Sequence, residues 1–104
     1  STTTGTYTLD SENLTVRVQD GEPVTLTRLE FRLLRLMASN LGRTLSSERL
    51  TGHVWGYRGL GDRQLLKQLV HRVRQKIERD PTNPQRLITV AGVGYRLQDG
   101  ETNA

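Results

Sequence analysis

Residues 62–79 read Asp62-Arg-Gln-Leu-Leu-Lys-Gln-Leu-Val-His-Arg-Val-Arg-Gln-Lys-Ile-Glu-Arg79, and their spacing predicts one long amphipathic helix. Leu66, Leu69, Val70, Val73 and Ile77 fall at i, i+3, i+4, i+7 and i+11, the pattern of a helix packed on a core. The remaining face carries Gln64, Leu65, Lys67, Gln68, His71, Arg72, Arg74, Gln75 and Arg79. Lys and Arg bring charge for phosphates, and the forked ends of Arg and Gln match guanine and adenine edges. A helix that is half apolar and half basic, at this length, fits a DNA major groove.

The chain on either side supplies the setting. Upstream, Gly56-Tyr-Arg-Gly-Leu-Gly61 has three glycines in six residues and breaks the chain. Before it, Ser46 is placed as the N-cap of a short helix running through Leu50 to about Trp55. A longer helix is expected from Thr27, where Thr27 and Glu30 have capping-box spacing. Its apolar face is read as Leu29, Leu33, Leu36 and Met37, widened by Phe31 and Leu34, with Gly42 as C-cap. Further upstream, Tyr7–Asp10 and Leu14–Val18 alternate apolar and polar residues. Asp20-Gly21 marks a turn before Pro23–Leu26. Downstream, Asp80-Pro81 should stop the basic helix. Leu87–Val90 and Gly94–Leu97 then read as a hairpin around Ala91-Gly92-Val93, with Gly92 and Gly94 giving the turn its backbone freedom. A hairpin directly after a groove-sized helix is the layout of a winged helix, an α+β fold.

The totals agree with one small domain. The chain has 104 residues, of which 34% are apolar and 25% charged, on the polar side of the usual range. Residues 1–41 hold four basic and five acidic residues, whereas residues 42–104 hold eleven and six. The second half, at net +5 against −1, is the half expected to meet a polyanion. There is no cysteine, which removes disulfides, zinc fingers and thiol chemistry. No apolar run approaches the roughly 18 residues of a membrane span, and no signal peptide opens the chain. The expected location is the cytoplasm. Residues 1–5 read as a linker or tag remnant, 6–98 as the folded domain and 99–104 as a flexible tail. His53 and His71 lack the spaced partners of a metal site. Gly92-Val-Gly94 lacks the third glycine of a dinucleotide fingerprint, because Leu97 stands there. No nucleophile–base pair is evident, so neither catalysis nor a cofactor is expected.

The motifs then resemble a known family. Leu26-Thr27, Glu30-Phe31, Leu33-Leu34 and Leu36 resemble the first helix of OmpR/PhoB-type response-regulator output domains. So do Ser46, Glu48 and Leu50, then Val54-Trp55-Gly56, Val73-Arg74, Lys76-Ile77, Asp80-Pro81, and Leu87 to Val90 with Gly92-Val-Gly-Tyr-Arg96. The resemblance runs without gaps from Leu26 to Leu97. It implies a winged helix-turn-helix with three helices, a leading four-stranded antiparallel sheet and a C-terminal hairpin wing. It also implies double-stranded DNA as partner, in tandem half-sites, with the third helix in the major groove and the wing on the minor groove or backbone. The loop at 56–61 would be the part that touches RNA polymerase. A receiver domain normally precedes such a domain and is not in this chain, which is therefore read as a fragment or a stand-alone output domain.

Within that frame Arg72 is the expected base contact, bidentate to guanine, and Gln68, one turn earlier, either reads adenine or is a spacer. Leu65 either meets a thymine methyl or packs on the glycine-rich loop. Gln64, Lys67, His71, Arg74 and Gln75 are the candidates for the backbone, with Trp55 and Tyr95 as aromatic bodies carrying a polar edge. Arg74 could instead pair with Glu78 at i+4. Thr89, Ala91 and Arg96 are the wing candidates. Against the family pattern, Gln64 replaces an Arg, Lys67 an Asp, Leu69 a His, and Ala91 a frequent Arg; Arg63 stands one step before Gln64. These departures keep a rival in view, a winged-helix module that binds protein and has lost DNA. An RNA reading lacks an aromatic platform on the basic face.

Overall fold

The computed structural model describes residues 2–56 and 63–99. Its elements are β1 (Thr2–Thr4), β2 (Tyr7–Asp10), β3 (Thr15–Val18), β4 (Val24–Thr25), α1 (Arg28–Ser39), β5 (Thr44–Ser46), α2 (Ser47–Trp55), α3 (Arg63–Ile77), β6 (Leu87–Val90) and β7 (Gly94–Leu97). The leading sheet is antiparallel in the order β1-β2-β3-β4, and a second sheet has the order β5-β7-β6. The α+β winged arrangement and the four-stranded leading sheet are as expected.

Strand β1 corrects the reading of residues 1–5 as a linker. Thr2, Thr3 and Thr4 pair with Leu9, Thr8 and Tyr7. β-branched threonines suit a pleated, half-wet edge, and a low-complexity look hid that. Gly5, at φ +58°, turns the chain, and a side chain there would run into the Asp99 carboxylate. The Thr6 N–H donates to Asp99 Oδ1 at 2.9 Å, so Asp99 is anchored and is not the start of a loose tail. Tyr7 is buried, and its hydroxyl donates to the Gln98 carbonyl at 2.6 Å. Burial pushes the Tyr7 hydroxyl well above its ordinary value, so it stays protonated and able to donate. The third strand starts at Thr15, one residue later than read, because Leu14 takes a positive φ of 53° in the turn.

The capping box of α1 is formed in full. The Thr27 N–H donates to Glu30 Oε1 at 2.9 Å and the Glu30 N–H to Thr27 Oγ1 at 3.3 Å. The inward stripe is Glu30, Phe31, Leu33, Leu34, Met37 and Ala38, so the stripe is rotated from the one expected. Leu29 is 37% exposed, and Leu36 sits at the margin. Glu30 takes an inward position because its carboxylate has two partners there. The second is Lys76 Nζ on α3, at 2.6 Å. The helix cap falls at Asn40, and Gly42, two residues on, holds the positive φ of 81° while its N–H donates to the Leu97 carbonyl.

Ser46 caps α2 as read, its Oγ accepting from the Arg49 N–H at 3.1 Å. α3 stops at Ile77 rather than running to Arg79. Glu78 leaves the helix and accepts from the backbone N–H groups of Gln85, Arg86 and Leu87 at 2.8–3.1 Å. This carboxylate closes the loop into β6, which also disposes of the Arg74–Glu78 pair considered above. In the hairpin Gly92 has φ +78°, as its turn requires. Gly94 does not; its need is space, since a Cβ would collide with the Leu45 carbonyl of β5. β5 itself was not foreseen. The core is one cluster in which Leu66, Leu69, Val70, Val73 and Ile77 of α3 meet Leu33, Leu34, Met37, Leu50, Leu87 and Leu97.

Candidate nucleic-acid interface

Burying one stripe of α3 leaves Arg63, Gln64, Leu65, Lys67, Gln68, His71, Arg72 and Gln75 on a single exposed face. From Gln64 to Gln75 that face runs about 16 Å, more than the roughly 12 Å width of a major groove. No Asp or Glu occurs between Arg63 and Ile77, so nothing along the helix offsets the cations. Leu65 is 42% exposed on this face. His71 Nε2 lies 3.2 Å from the Gln75 side-chain nitrogen, and each orients the other.

Two of the helix's cations turn inward. Lys76 serves Glu30, as above. Arg74 reaches the wing: its Nε donates to the Leu87 carbonyl at 3.0 Å and an Nη to Thr89 Oγ1 at 2.7 Å, with the guanidinium 5.9 Å from the centre of the Tyr95 ring. Arg74 was expected to face phosphates; in the free protein it clamps α3 to β6. Thr89 and Tyr95 are directly paired across the hairpin, so both stand on the sheet face that meets α3. Arg96, one residue on, lies on the opposite face beside Thr44 and Ile88, with a buried Nε. It is not gathered with the other wing candidates.

A cleft of about 150 Å³ joins the parts, lined by Ser47, Arg63, Thr89, Val90, Gly92, Val93, Gly94 and Tyr95. It brings the first residue of α2, the first residue of α3 and the wing together. Sequence reasoning missed Ser47 and Val93, the latter 50% exposed beside the exposed turn residue Ala91. The only hint was the strand-like spacing about Ser46 that makes β5. Trp55 closes α2 half-buried against the core. Of the departures from the family pattern, Gln64, Lys67 and Ala91 are exposed, whereas Leu69 is 2% exposed and belongs to the core. Beyond Gly56 the glycine-rich loop lies outside the described residues, and so does any contact of Leu65 or RNA polymerase with it.

The family described as transcriptional regulatory protein, C terminal, matches residues 21–97. This chain belongs to that family, in its OmpR/PhoB type. The sensory transduction protein RegX3 of Mycolicibacterium smegmatis is 45% identical over 94 residues, covering 90% of this chain and 41% of that protein. The chain thus spans about two fifths of the length of the curated relatives it matches. Among solved structures, DrrB, an OmpR/PhoB homologue of Thermotoga maritima, has a TM-score of 0.75 at 30% identity, covering 90% of this chain and 42% of that one. The DNA-binding domain of RstA from Klebsiella pneumoniae, in complex with the RstA box, has a TM-score of 0.77 at 25% identity, covering 95% and 97%. Among the described residues of this output domain, no helix is long and apolar enough to cross a membrane.

Proposed function

We propose that this output domain binds double-stranded DNA sequence-specifically as the C-terminal part of a two-component transcription regulator. The observation that carries the reading is the acid-free outer face of α3 joined by a cleft to the wing. Arg72 supplies the base contact, with Gln68 and Leu65 beside it. Gln64, Lys67, His71, Gln75, Trp55 and Tyr95 hold the backbone, and Arg63 brings the positive charge that Gln64 lacks. The wing turn at Ala91 meets the neighbouring minor groove or backbone. Arg74 works from behind, by setting where the wing stands. Tandem half-sites, a receiver domain in the whole protein and RNA polymerase at the 56–61 loop belong to the same proposal.

Selection of bound sequences from a random duplex library tests it. The expected product is a defined site, bound at least roughly a thousandfold more tightly than unrelated duplex. Recovery of no consensus, with only weak and sequence-blind binding, would favour the protein-interaction module instead. The core position of Leu69 removes one of the departures on which that rival rested.

A further inference from the structure

A second basic surface lies on the outside of α1 and α2. α1 turns Arg28, Arg32 and Arg35 outward at i, i+4 and i+7, and α2 presents Arg49 and His53 at i and i+4. α1 and α3 meet through their buried stripes, so their outer faces point in different directions. Between the two helices is a depression of about 390 Å³ lined by Phe31, Arg32, Arg35, Leu36, Ser39 and His53. Its floor is apolar and its rim cationic. None of the four arginines is in an ion pair among the described residues, and Glu48, the carboxylate of α2, does not line the groove. Burial, then the charges of Arg32, Arg35 and Arg49, hold His53 below the ordinary histidine value. The cations there are felt by one another and not offset.

We propose that the α1–α2 groove docks an acidic polypeptide segment of a partner protein. An apolar side chain of that segment rests on Phe31 and Leu36, and carboxylates on either side meet Arg32, Arg35 and Arg49. Guanidinium groups pair carboxylates two hydrogen bonds at a time, which suits a rim of arginines. The apolar floor favours a peptide over nucleic acid, since a phosphate backbone offers no side chain to fill it. A duplex lying along α3 leaves this face open.

Amide shift perturbation of the whole chain tests the proposal, with the capped peptide Asp-Asp-Leu-Phe-Glu-Glu as probe and Asp-Asp-Ser-Ser-Glu-Glu as its charge-matched control. Shifts are expected at Arg32, Arg35, Leu36 and His53, with the first peptide binding roughly tenfold more tightly, the worth of one buried apolar side chain. The double variant Arg32→Glu, Arg35→Glu should lose the shifts while keeping its thermal midpoint and its duplex-induced shifts on α3. Absence of shifts at millimolar peptide overturns the proposal. So does equal binding of the two peptides, which would make the surface a mere counterion face. Competition by duplex DNA at the same amides would make it a second phosphate surface. Concentration-dependent shifts without peptide would put a second copy of the chain there.

Discussion

Arg72 and Gly94 show how single residues are read by different physics. Arg72 is exposed near the middle of α3 and is not drawn inward as Arg74 and Lys76 are. Its replacement, Arg72→Ala, should cost roughly 1–3 kcal/mol of binding and relax the preference at one base step, measured by titrating single-base variants of the selected site. Uniform weakening on all sequences would make it a phosphate contact. Gly94 carries no unusual φ; its hydrogen fills the space against the Leu45 carbonyl. Gly94→Ala must push β7 off β5, so a loss of about 2–4 kcal/mol in denaturant unfolding is expected, in the range of overpacked or strained sites. An unchanged midpoint would show that the strands separate without penalty. The contact was hidden in the sequence because β5 is three residues long and its partner lies some fifty residues away.

At the scale of elements, the last turn of α3 is held from two sides. Arg74 ties it to β6, and Lys76 ties it to the capping box of α1. Thr89→Val keeps the shape of the wing and the charge of Arg74 but removes the 2.7 Å bond between them. Because that bond is near the surface, about 0.5–1.5 kcal/mol of stability should be lost. Faster hydrogen exchange in β6 and β7, with a lower DNA affinity, is the expected signature of a clamp. An affinity that responds to Arg74→Met but not to Thr89→Val would mean that the guanidinium acts on phosphate directly. The Glu30–Lys76 pair makes a pH prediction. Burial raises the Glu30 carboxyl, but Lys76 and the Thr27 N–H outweigh it, and the net value falls below the ordinary 4.5. A depressed carboxyl contributes stability above its unfolded value and loses it as pH falls through the folded one. Stability should therefore decline below about pH 4.5, and Lys76→Met should flatten that decline while lowering stability at pH 7. Asp10 and Asp80, held low by side-chain and backbone bonds in their turns, leave a residual slope in that variant. An undiminished acid slope in Lys76→Met would count against the pair.

Among the described residues, exposed cations gather on the outer face of α3 and on that of α1 and α2, with Arg17, Arg43 and Arg79 outside both, while Glu12, Asp20 and Glu22 stand exposed at turns of the leading sheet. With about five phosphate contacts from the α3 and wing face, log K against log salt should fall with a slope near −4 to −5. A slope near zero would remove the electrostatic basis of the DNA reading. Charge reversal on α1 should leave that slope nearly unchanged, because a Debye length of about 8 Å at physiological salt separates the two faces electrically.

The period of the apolar residues determined a great deal. Together with the capping residues it placed three helices, the stripe of α3, the hairpin, the T-x-x-E cap and the Ser46 cap, because these depend on neighbours a few residues along the chain. It named the exposed face of α3 nearly whole for the same reason. Tertiary structure alone decided which cations were free. Lys76 and Arg74 belong to the basic set by composition, but a buried carboxylate on α1 and a carbonyl and hydroxyl on β6 claim them. It likewise made β1 from threonines that resembled a linker, drew Asp99 into the fold, and rotated α1 so that Glu30 rather than Leu29 faces inward. Each of these depends on a partner far along the chain, and a local pattern carries no record of a distant partner's position.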